Sequence, residues 1–151
     1  MAFVNALPTE LPRHLLYFGR KAFIIPPAFS NVIKYHHSDA VKTRISEIAA
    51  KLGIKHDLSR VACVESVGSK SKRTLARCHA LPRIMQVALG TKAHYVIEVI
   101  TENFSPLPKS EQDKTLIHEL MHIPKSFGGG FRHHDYVCRK NVETMYRKLA
   151  E

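Results

Sequence analysis

The sequence predicts a small α+β domain, in which a small mixed or antiparallel sheet packs on one helix and a second helix ends the chain. Three observations carry this prediction. An apolar repeat with helical spacing follows residue 38, short segments rich in β-branched residues lie between residues 60 and 101, and further helical repeats follow them. With 151 residues, 44% of them hydrophobic, the chain has enough apolar side chains for the core of one ordinary domain.

The first 38 residues differ from the rest in pattern. Four prolines divide this stretch into short apolar pieces: Pro8, Pro12, Pro26 and Pro27. We therefore expect residues 1–38 to form an irregular N-terminal arm and residues 39–151 to form the domain. The aromatic side chains of the arm are expected to pack on the domain rather than to bind a ligand.

The elements of the domain follow in order along the chain. Ser38 is expected to cap a first helix that runs to about Leu52 and stops at Gly53. Strands rich in apolar residues are predicted next, at residues 60–67, 75–78, 84–89 and 94–101. A last helix is expected at residues 135–150, where apolar side chains recur at mostly helical spacing.

The most informative pattern is the run His118-Glu119-Leu120-Met121-His122. On a helix, residues four apart lie on one face with Cβ atoms ~5–6 Å apart. His118 and His122 can therefore bind one Zn²⁺ at ~2.0–2.1 Å each. Glu119 lies beside the first histidine without ligating the metal, and it can take a proton from a water whose pKa the ion lowers towards ~7.

The surroundings of this run support a metal helix. Its flanking side chains are uncharged, so the two histidines and the glutamate are the polar side chains of an otherwise apolar stretch. Burying them without a partner would cost several kcal/mol, which a metal removes. Ser110 with Asp113 resembles a capping box that would start the helix, and Pro124 is expected to end it.

A catalytic zinc commonly has three protein ligands and one open position. The glycines at 128–130 allow a tight reversal after the helix, and the adjacent His133 and His134 follow that turn. One of the two is the natural third ligand. Glu143, on the last predicted helix, is an alternative, and Asp135 could ligate or could orient a histidine.

Residues 118–135, HELMHIPKSFGGGFRHHD, resemble a family of archaeal and phage proteins described as metallopeptidases. The shared pattern is an H-E-L-x-H-I-P helix, a glycine turn, then Arg, one residue and His. With the upstream stretch HYVIEVITENFSPL, the resemblance covers residues 61–135, about half of the chain. The chain is also distantly similar to SprT-like zinc proteases through the H-E-x-x-H core, although it lacks the zinc-ribbon cysteines that many of them carry.

The resemblance implies a role for four residues of this chain. His118 and His122 would be metal ligands, Glu119 the catalytic base, and His134, two residues after Arg132, the third ligand. This sequence has a histidine at 133 where the family more often shows proline, which leaves the choice within the pair open.

The order of predicted elements also matches the minimal zincin plan, in which a sheet packs on the active-site helix. In that plan the strand preceding the motif borders the cleft. Residues 94–101 are therefore the candidate edge strand, which could hold an extended peptide by main-chain pairing. Glu98, within this strand, is expected to face solvent.

The formal charge is +10, because 23 lysines and arginines face 13 acidic residues. Such a surface attracts phosphate backbones, so nucleic acid is a candidate partner beside a protein or peptide substrate. The chain has no apolar run of about eighteen residues, so no membrane partner is expected. No secretory signal is evident at the N-terminus, and the three cysteines form no C-x-x-C pair, which favours free thiols in the cytoplasm.

These features together predict a zinc-dependent metallopeptidase with one Zn²⁺. Arg132, Tyr136 and His133 are candidates to stabilise the transition state. Two alternatives stay open on the residues alone. One is a zinc hydrolase of a non-peptide amide, and the other is a basic nucleic-acid-binding or regulatory protein whose zinc site is structural or inactive.

Overall fold

The computed structural model describes residues 15–18, 21–24 and 32–151. The chain divides into two units, residues 1–32 and 33–151. In the first, strands β1 (Leu15–Phe18) and β2 (Lys21–Ile24) pair antiparallel, with Leu15 opposite Ile24. The second unit carries the metal-site motif.

A four-stranded mixed sheet forms the centre of the second unit, in the spatial order β3-β4-β6-β5. Strands β4 and β6 are parallel, whereas the two outer strands run antiparallel to their neighbours. The strands are β3 (Lys34–His37), β4 (Val61–Val67), β5 (Ala76–Ala80) and β6 (Tyr95–Ile100).

Five helices accompany this sheet in the described part of the chain: α1 (Asp39–Lys51), α2 (Arg83–Ala88), α3 (Thr101–Phe104), α4 (Lys109–His122) and α5 (Arg139–Ala150). The α+β prediction is therefore confirmed. Within the described ranges, no helix combines the length and apolar character that crossing a membrane requires.

The core lies between one face of the sheet and helices α1, α4 and α5. Alternate residues of the central strands point into it, since strand side chains alternate between faces. Its fully buried members include Ile45, Tyr95, Ile97, Ile117 and Leu120. Each large aliphatic side chain buried in this way contributes about 1.5–3 kcal/mol, so the core fixes α4 against the sheet.

Helix α1 begins where the sequence predicted. The Ser38 hydroxyl accepts a hydrogen bond from the Val41 N–H at 3.3 Å, which satisfies a donor of the first turn. After the helix, Gly53 adopts a φ of +63°, a conformation that favours glycine.

The start of α4 differs from the predicted capping box. The helix begins at Lys109, directly after Pro108, and no side chain caps it. Asp113 is instead buried and paired with Arg44 of α1, with Nε–Oδ1 at 2.7 Å and Nη2–Oδ2 at 2.6 Å. Its carboxylate therefore joins two helices rather than starting one.

Residues 84–89 were predicted as a strand, and this is wrong, since they lie mostly in α2. The chain between β5 and its antiparallel neighbour β6 contains this short helix and a reversal at Gly90, whose φ is +60°. Gln86 is buried and donates to the Leu81 carbonyl at 2.8 Å, which anchors the helix. Residues 84–89 have no neighbour among the described strands with which to form backbone hydrogen bonds, so they cannot be part of a sheet. Their local apolar pattern does not reveal this, and the prediction from that pattern was therefore wrong.

The prediction that 94–101 is the edge strand is also wrong. Strand β6 pairs with β4 on one side and with β5 on the other, so it is an inner strand, and β3 and β5 are the two edge strands of this sheet. Glu98, expected to face solvent, is 2% exposed, and its Oε2 lies 2.8 Å from Nε2 of His79. Strand β6 is an inner strand because β5 pairs with it on the side away from β4. The residues of β6 alone do not indicate that another strand will pair there.

Residues 34–37 of the predicted arm form β3, which pairs with β4 so that Tyr35 lies opposite Ser66. All four of its residues are exposed, which explains why no apolar pattern marked this strand. The predicted division into an arm, 1–38, and a domain, 39–151, otherwise stays a prediction.

Candidate metal centre

Three histidines meet at the C-terminal end of α4. His118 and His122 lie one turn apart, and their Nε2 atoms are 3.1 Å from each other. The ring centroid of His134, on the following loop, is 5.6 Å from that of His118 and 4.8 Å from that of His122. One ligand atom from each of the three lies within 4.8 Å of the others.

This spacing suits a metal ion. Nitrogen atoms bound tetrahedrally at ~2.0–2.1 Å are about 3.3 Å apart. The pair on α4 is already close to that separation. His134 is exposed, and its ligand atom lies within 4.8 Å of the other two, so an approach of at most about 1.5 Å brings it to that separation.

The Arg132 carbonyl determines which ring nitrogen of His122 carries a proton. The Arg132 carbonyl oxygen lies 2.8 Å from Nδ1 of His122, and a carbonyl only accepts, so Nδ1 carries the proton. Nε2 of the neutral ring therefore presents a lone pair to the cluster. A backbone carbonyl on the far nitrogen is a common way to orient a metal-binding histidine.

Two imidazole nitrogens that face each other at 3.1 Å repel unless a proton or a cation lies between them. Burial, with the charges of His122 and His134, lowers the pKa of His118 to about 4. His118 is therefore neutral near pH 7, and with its single proton on Nδ1 its Nε2 offers a lone pair, so the donor set fits a divalent cation. Imidazole suits zinc, copper, iron and nickel.

Glu119 is the buried carboxylate of the site, at 6% exposure. Burial raises its pKa to about 7, and the backbone N–H of Cys78 on β5 opposes this rise. It lines a cavity of about 500 Å³ together with the three clustered histidines and the β5 residues from Ala76 to His79. A carboxylate with a pKa near the working pH suits general base catalysis.

The turn at residues 128–130 is positioned by contacts with Gln86 and Tyr95. Gly129 has a φ of +92°, and a Cβ there would lie 2.3 Å from Nε2 of Gln86. The Tyr95 hydroxyl donates to the Gly130 carbonyl at 2.8 Å and accepts from the Gly129 N–H at 3.0 Å. Strand β6 and helix α2 therefore fix the turn that returns the chain to the end of α4.

The other predicted site residues lie around this cluster. His133 lines the same cavity, but its side chain is not part of the three-histidine group found in the described part of the chain. Its carbonyl accepts from the N–H groups of Tyr136 and Val137, at 3.1 and 3.0 Å. Asp135 is exposed, and its Oδ1 accepts from the Tyr136 N–H at 2.8 Å, so it bonds the turn rather than a histidine.

Glu143 and Arg132 have partners elsewhere. Oε1 of Glu143 lies 2.8 Å from Nζ of Lys114, in a second cavity of about 520 Å³ that also reaches His118 and Glu119. The Arg132 guanidinium lies 3.3 Å from the centroid of the Tyr136 ring. Tyr136 lines a different cavity from the one at the histidines.

Sequence reasoning missed the contribution of β5 and Tyr95. Strand β5 supplies one wall of the cleft and the N–H that faces Glu119. No local pattern marks it as an edge strand. Tyr95 offered one signal in the sequence. A tyrosine within an apolar strand is expected to be buried, and its hydroxyl then requires a hydrogen-bond partner from another segment.

Two histidines one turn apart on a helix, a third on the next loop and a buried carboxylate beside them form the arrangement that zinc hydrolases use. Residues 32–151 match a protein family described as "Putative phage metallopeptidase", and the chain belongs to this family. The match confirms the resemblance and extends it beyond residues 61–135 at both ends. None of the curated proteins and none of the solved structures compared with the chain matches it.

Proposed function

We propose that this protein is a zinc-dependent metallopeptidase of the H-E-x-x-H type, with His118, His122 and His134 as ligands and Glu119 as general base. The observation that carries the proposal is the cluster of three imidazoles beside a buried carboxylate. Family membership supports the metallopeptidase class. The metal, the mechanism and the substrate are the proposed part.

Imidazole donors suit several divalent metals. Zinc is proposed because a catalytic zinc commonly has three protein ligands and an open fourth position, the arrangement that these histidines would give it. When bound, the ion supplies Lewis acidity to a water molecule and to the scissile carbonyl. The His122–Arg132 hydrogen bond supports this role, since it aims one lone pair before any ion arrives.

Glu119 would move the proton of the reaction. Its carboxylate takes a proton from the attacking water and passes it to the leaving amine. In the metal-free site burial raises the pKa of Glu119 to about 7, which favours a group that must release the proton that it has just accepted. Its burial also keeps bulk water away from the transfer.

His133 is our choice among the three residues predicted to stabilise the transition state. It is exposed and lines the cavity at the clustered histidines. Arg132 lines this cavity too, but its guanidinium is stacked on Tyr136. Tyr136 lines a neighbouring cavity.

The substrate would bind along β5. One side of this strand pairs with β6, and its other side faces the cavity that contains Glu119. An extended peptide could add to that free edge by main-chain hydrogen bonds. The two cavities of about 500 and 520 Å³ share His118 and Glu119, which leaves room for substrate residues on both sides of the scissile bond.

A peptide library analysed by mass spectrometry tests this function. Zinc-loaded protein should cleave library peptides, whereas the Glu119→Gln protein, matched in zinc content, should not. Cleavage of small amides without any cleaved peptide would support the non-peptide hydrolase. Tightly bound zinc with neither activity would support a structural site.

Nucleic-acid binding by the basic surface stays a prediction. The charge of +10 is its only support. Gel-shift assays with duplex and single-stranded DNA at two salt concentrations test it, and the absence of salt-sensitive retardation would refute it.

A further inference from the structure

A cavity of about 510 Å³ lies where α1 and α4 end. Its apolar wall includes Leu52, Ile54 and Met145, which are only partly buried and so leave apolar surface at the cavity. Its cationic residues are Lys55, Lys125 and Arg132. Among the described residues that line it, none is acidic.

These cations have no carboxylate partner in residues 32–151. None of the ion pairs formed there includes Lys55, Lys125 or Arg132. Helix C-termini attract cations, but this effect falls off within the last turn. Lys55 and Lys125 lie beyond the ends of their helices, at Lys51 and His122, so the helix dipole does not account for them.

We propose that this cavity binds a small organic anion, in which one acidic group is attached to an apolar or aromatic body. The acidic group would lie among the three cations, and the body would cover the apolar wall. An inorganic anion would leave that wall in water, and a neutral apolar molecule would leave the cations without a counter-charge.

The cavity is distinct from the metal centre, although the two meet at Arg132. Arg132 lines both cavities, whereas none of the three clustered histidines lines this one. Anions also bind metal ions, so the experiment has to separate the two sites.

The probe is 8-anilinonaphthalene-1-sulfonate, an aromatic sulfonate that fluoresces in apolar surroundings. We expect one binding site per chain, unchanged when EDTA removes metal. N-phenyl-1-naphthylamine, which has the same body without the charge, should bind more weakly, and inorganic phosphate should compete poorly.

Surface variants locate the dye. Lys55→Gln and Lys125→Gln should each raise its Kd about two- to fivefold, the loss expected for one exposed charge contact. Lys148→Gln, which removes an exposed lysine of α5, should leave the Kd unchanged. Val87→Ser should also leave it unchanged; Val87 belongs to the exposed apolar surface of α2, at 72% exposure, and is the competing place for an apolar dye.

Four results would overturn the proposal. Unchanged dye binding in both lysine variants would place the dye elsewhere, and its loss in Val87→Ser would place it on α2. Loss of binding on chelation would assign the anion to the metal. Displacement of the dye by duplex DNA, with no effect of short organic anions, would assign these cations to a polyanion instead.

Discussion

Arg132 is hydrogen-bonded to His122 through both its carbonyl and its amide. The His122 Nδ1–H donates to the Arg132 carbonyl, and the Arg132 N–H donates to the His122 carbonyl, each at 2.8 Å. The end of α4 is therefore tied to the chain just before His134. This pair of bonds orients one clustered histidine and places the segment that carries another.

Replacing Glu119 by Gln should lower peptidase kcat by about 10²–10⁴-fold, because the side chain keeps its shape but no longer accepts a proton. Zinc content, measured by atomic emission, should not change. Glu111→Gln is the matched control, since Glu111 lines the adjoining cavity and pairs with Lys114. Activity that survives in the Glu119 variant would exclude this residue as the base.

The two adjacent histidines should respond differently to alanine. His134→Ala should weaken zinc binding more than about 100-fold, because it removes a proposed ligand rather than an orienting group. His133→Ala should keep zinc and lower kcat with little change in KM. Competition with a chromogenic chelator measures the affinities. Loss of zinc in the His133 variant alone would show that His133 is the third ligand and that His134 is not.

The glycine turn offers a matched pair of substitutions. Gly129→Ala should cost about 1–3 kcal/mol in the free energy of unfolding, since alanine must adopt a positive φ and its Cβ meets Gln86. It should also weaken zinc binding by displacing the loop of His134. At Gly128 an added Cβ meets only Ser126 Oγ, at 3.9 Å, so Gly128→Ala should change stability by less than about 0.5 kcal/mol. If Gly129→Ala and Gly128→Ala lower the free energy of unfolding in urea equally, the positive φ and the Gln86 contact are not the cause of the loss.

The Arg44–Asp113 pair should contribute measurably to stability. Asp113→Ala leaves the guanidinium of Arg44 without its main partner and should cost about 2–3 kcal/mol, below the range for a fully buried pair because Arg44 is 26% exposed. Glu47→Ala, which removes the exposed partner of the same arginine, should cost less than about 1 kcal/mol. Urea unfolding at neutral pH measures both. Similar losses would show that burial of Asp113 is not the cause.

Native Cys63 and Cys78 should resist alkylation. Burial raises the pKa of Cys63 to about 11, and burial with the nearby charge of Glu119 raises that of Cys78 to about 12. The reactive thiolate should therefore be depleted roughly 100-fold at Cys63, and further at Cys78, relative to ordinary thiols at pH 8. Mass spectrometry after iodoacetamide treatment, with urea-unfolded protein as the reference, reads the outcome. Rapid labelling of either residue in folded protein would contradict the burial seen here.

Local sequence patterns were sufficient to predict features whose contacts lie within a single helix. The cap at Ser38, the apolar repeat of α1 and the end of α4 before Pro124 were predicted correctly, because neighbours along the chain make those contacts. The α2 segment was misassigned, because six residues of mixed apolar pattern are compatible with either state. Asp113 was misread, because its partner Arg44 lies 69 residues away.

The sequence by itself determined which helix carries the proposed metal ligands, because residues four apart on a helix share a face, which brings His118 and His122 together with Glu119 beside them. The residues left His133 and His134 as alternatives, and resemblance to a family favoured the second. Tertiary structure decided which ring lies beside the helix pair and which strand borders the cleft. Both depend on contacts between distant segments, such as that of Tyr95 with Gly129, 34 residues apart, and no local pattern encodes them.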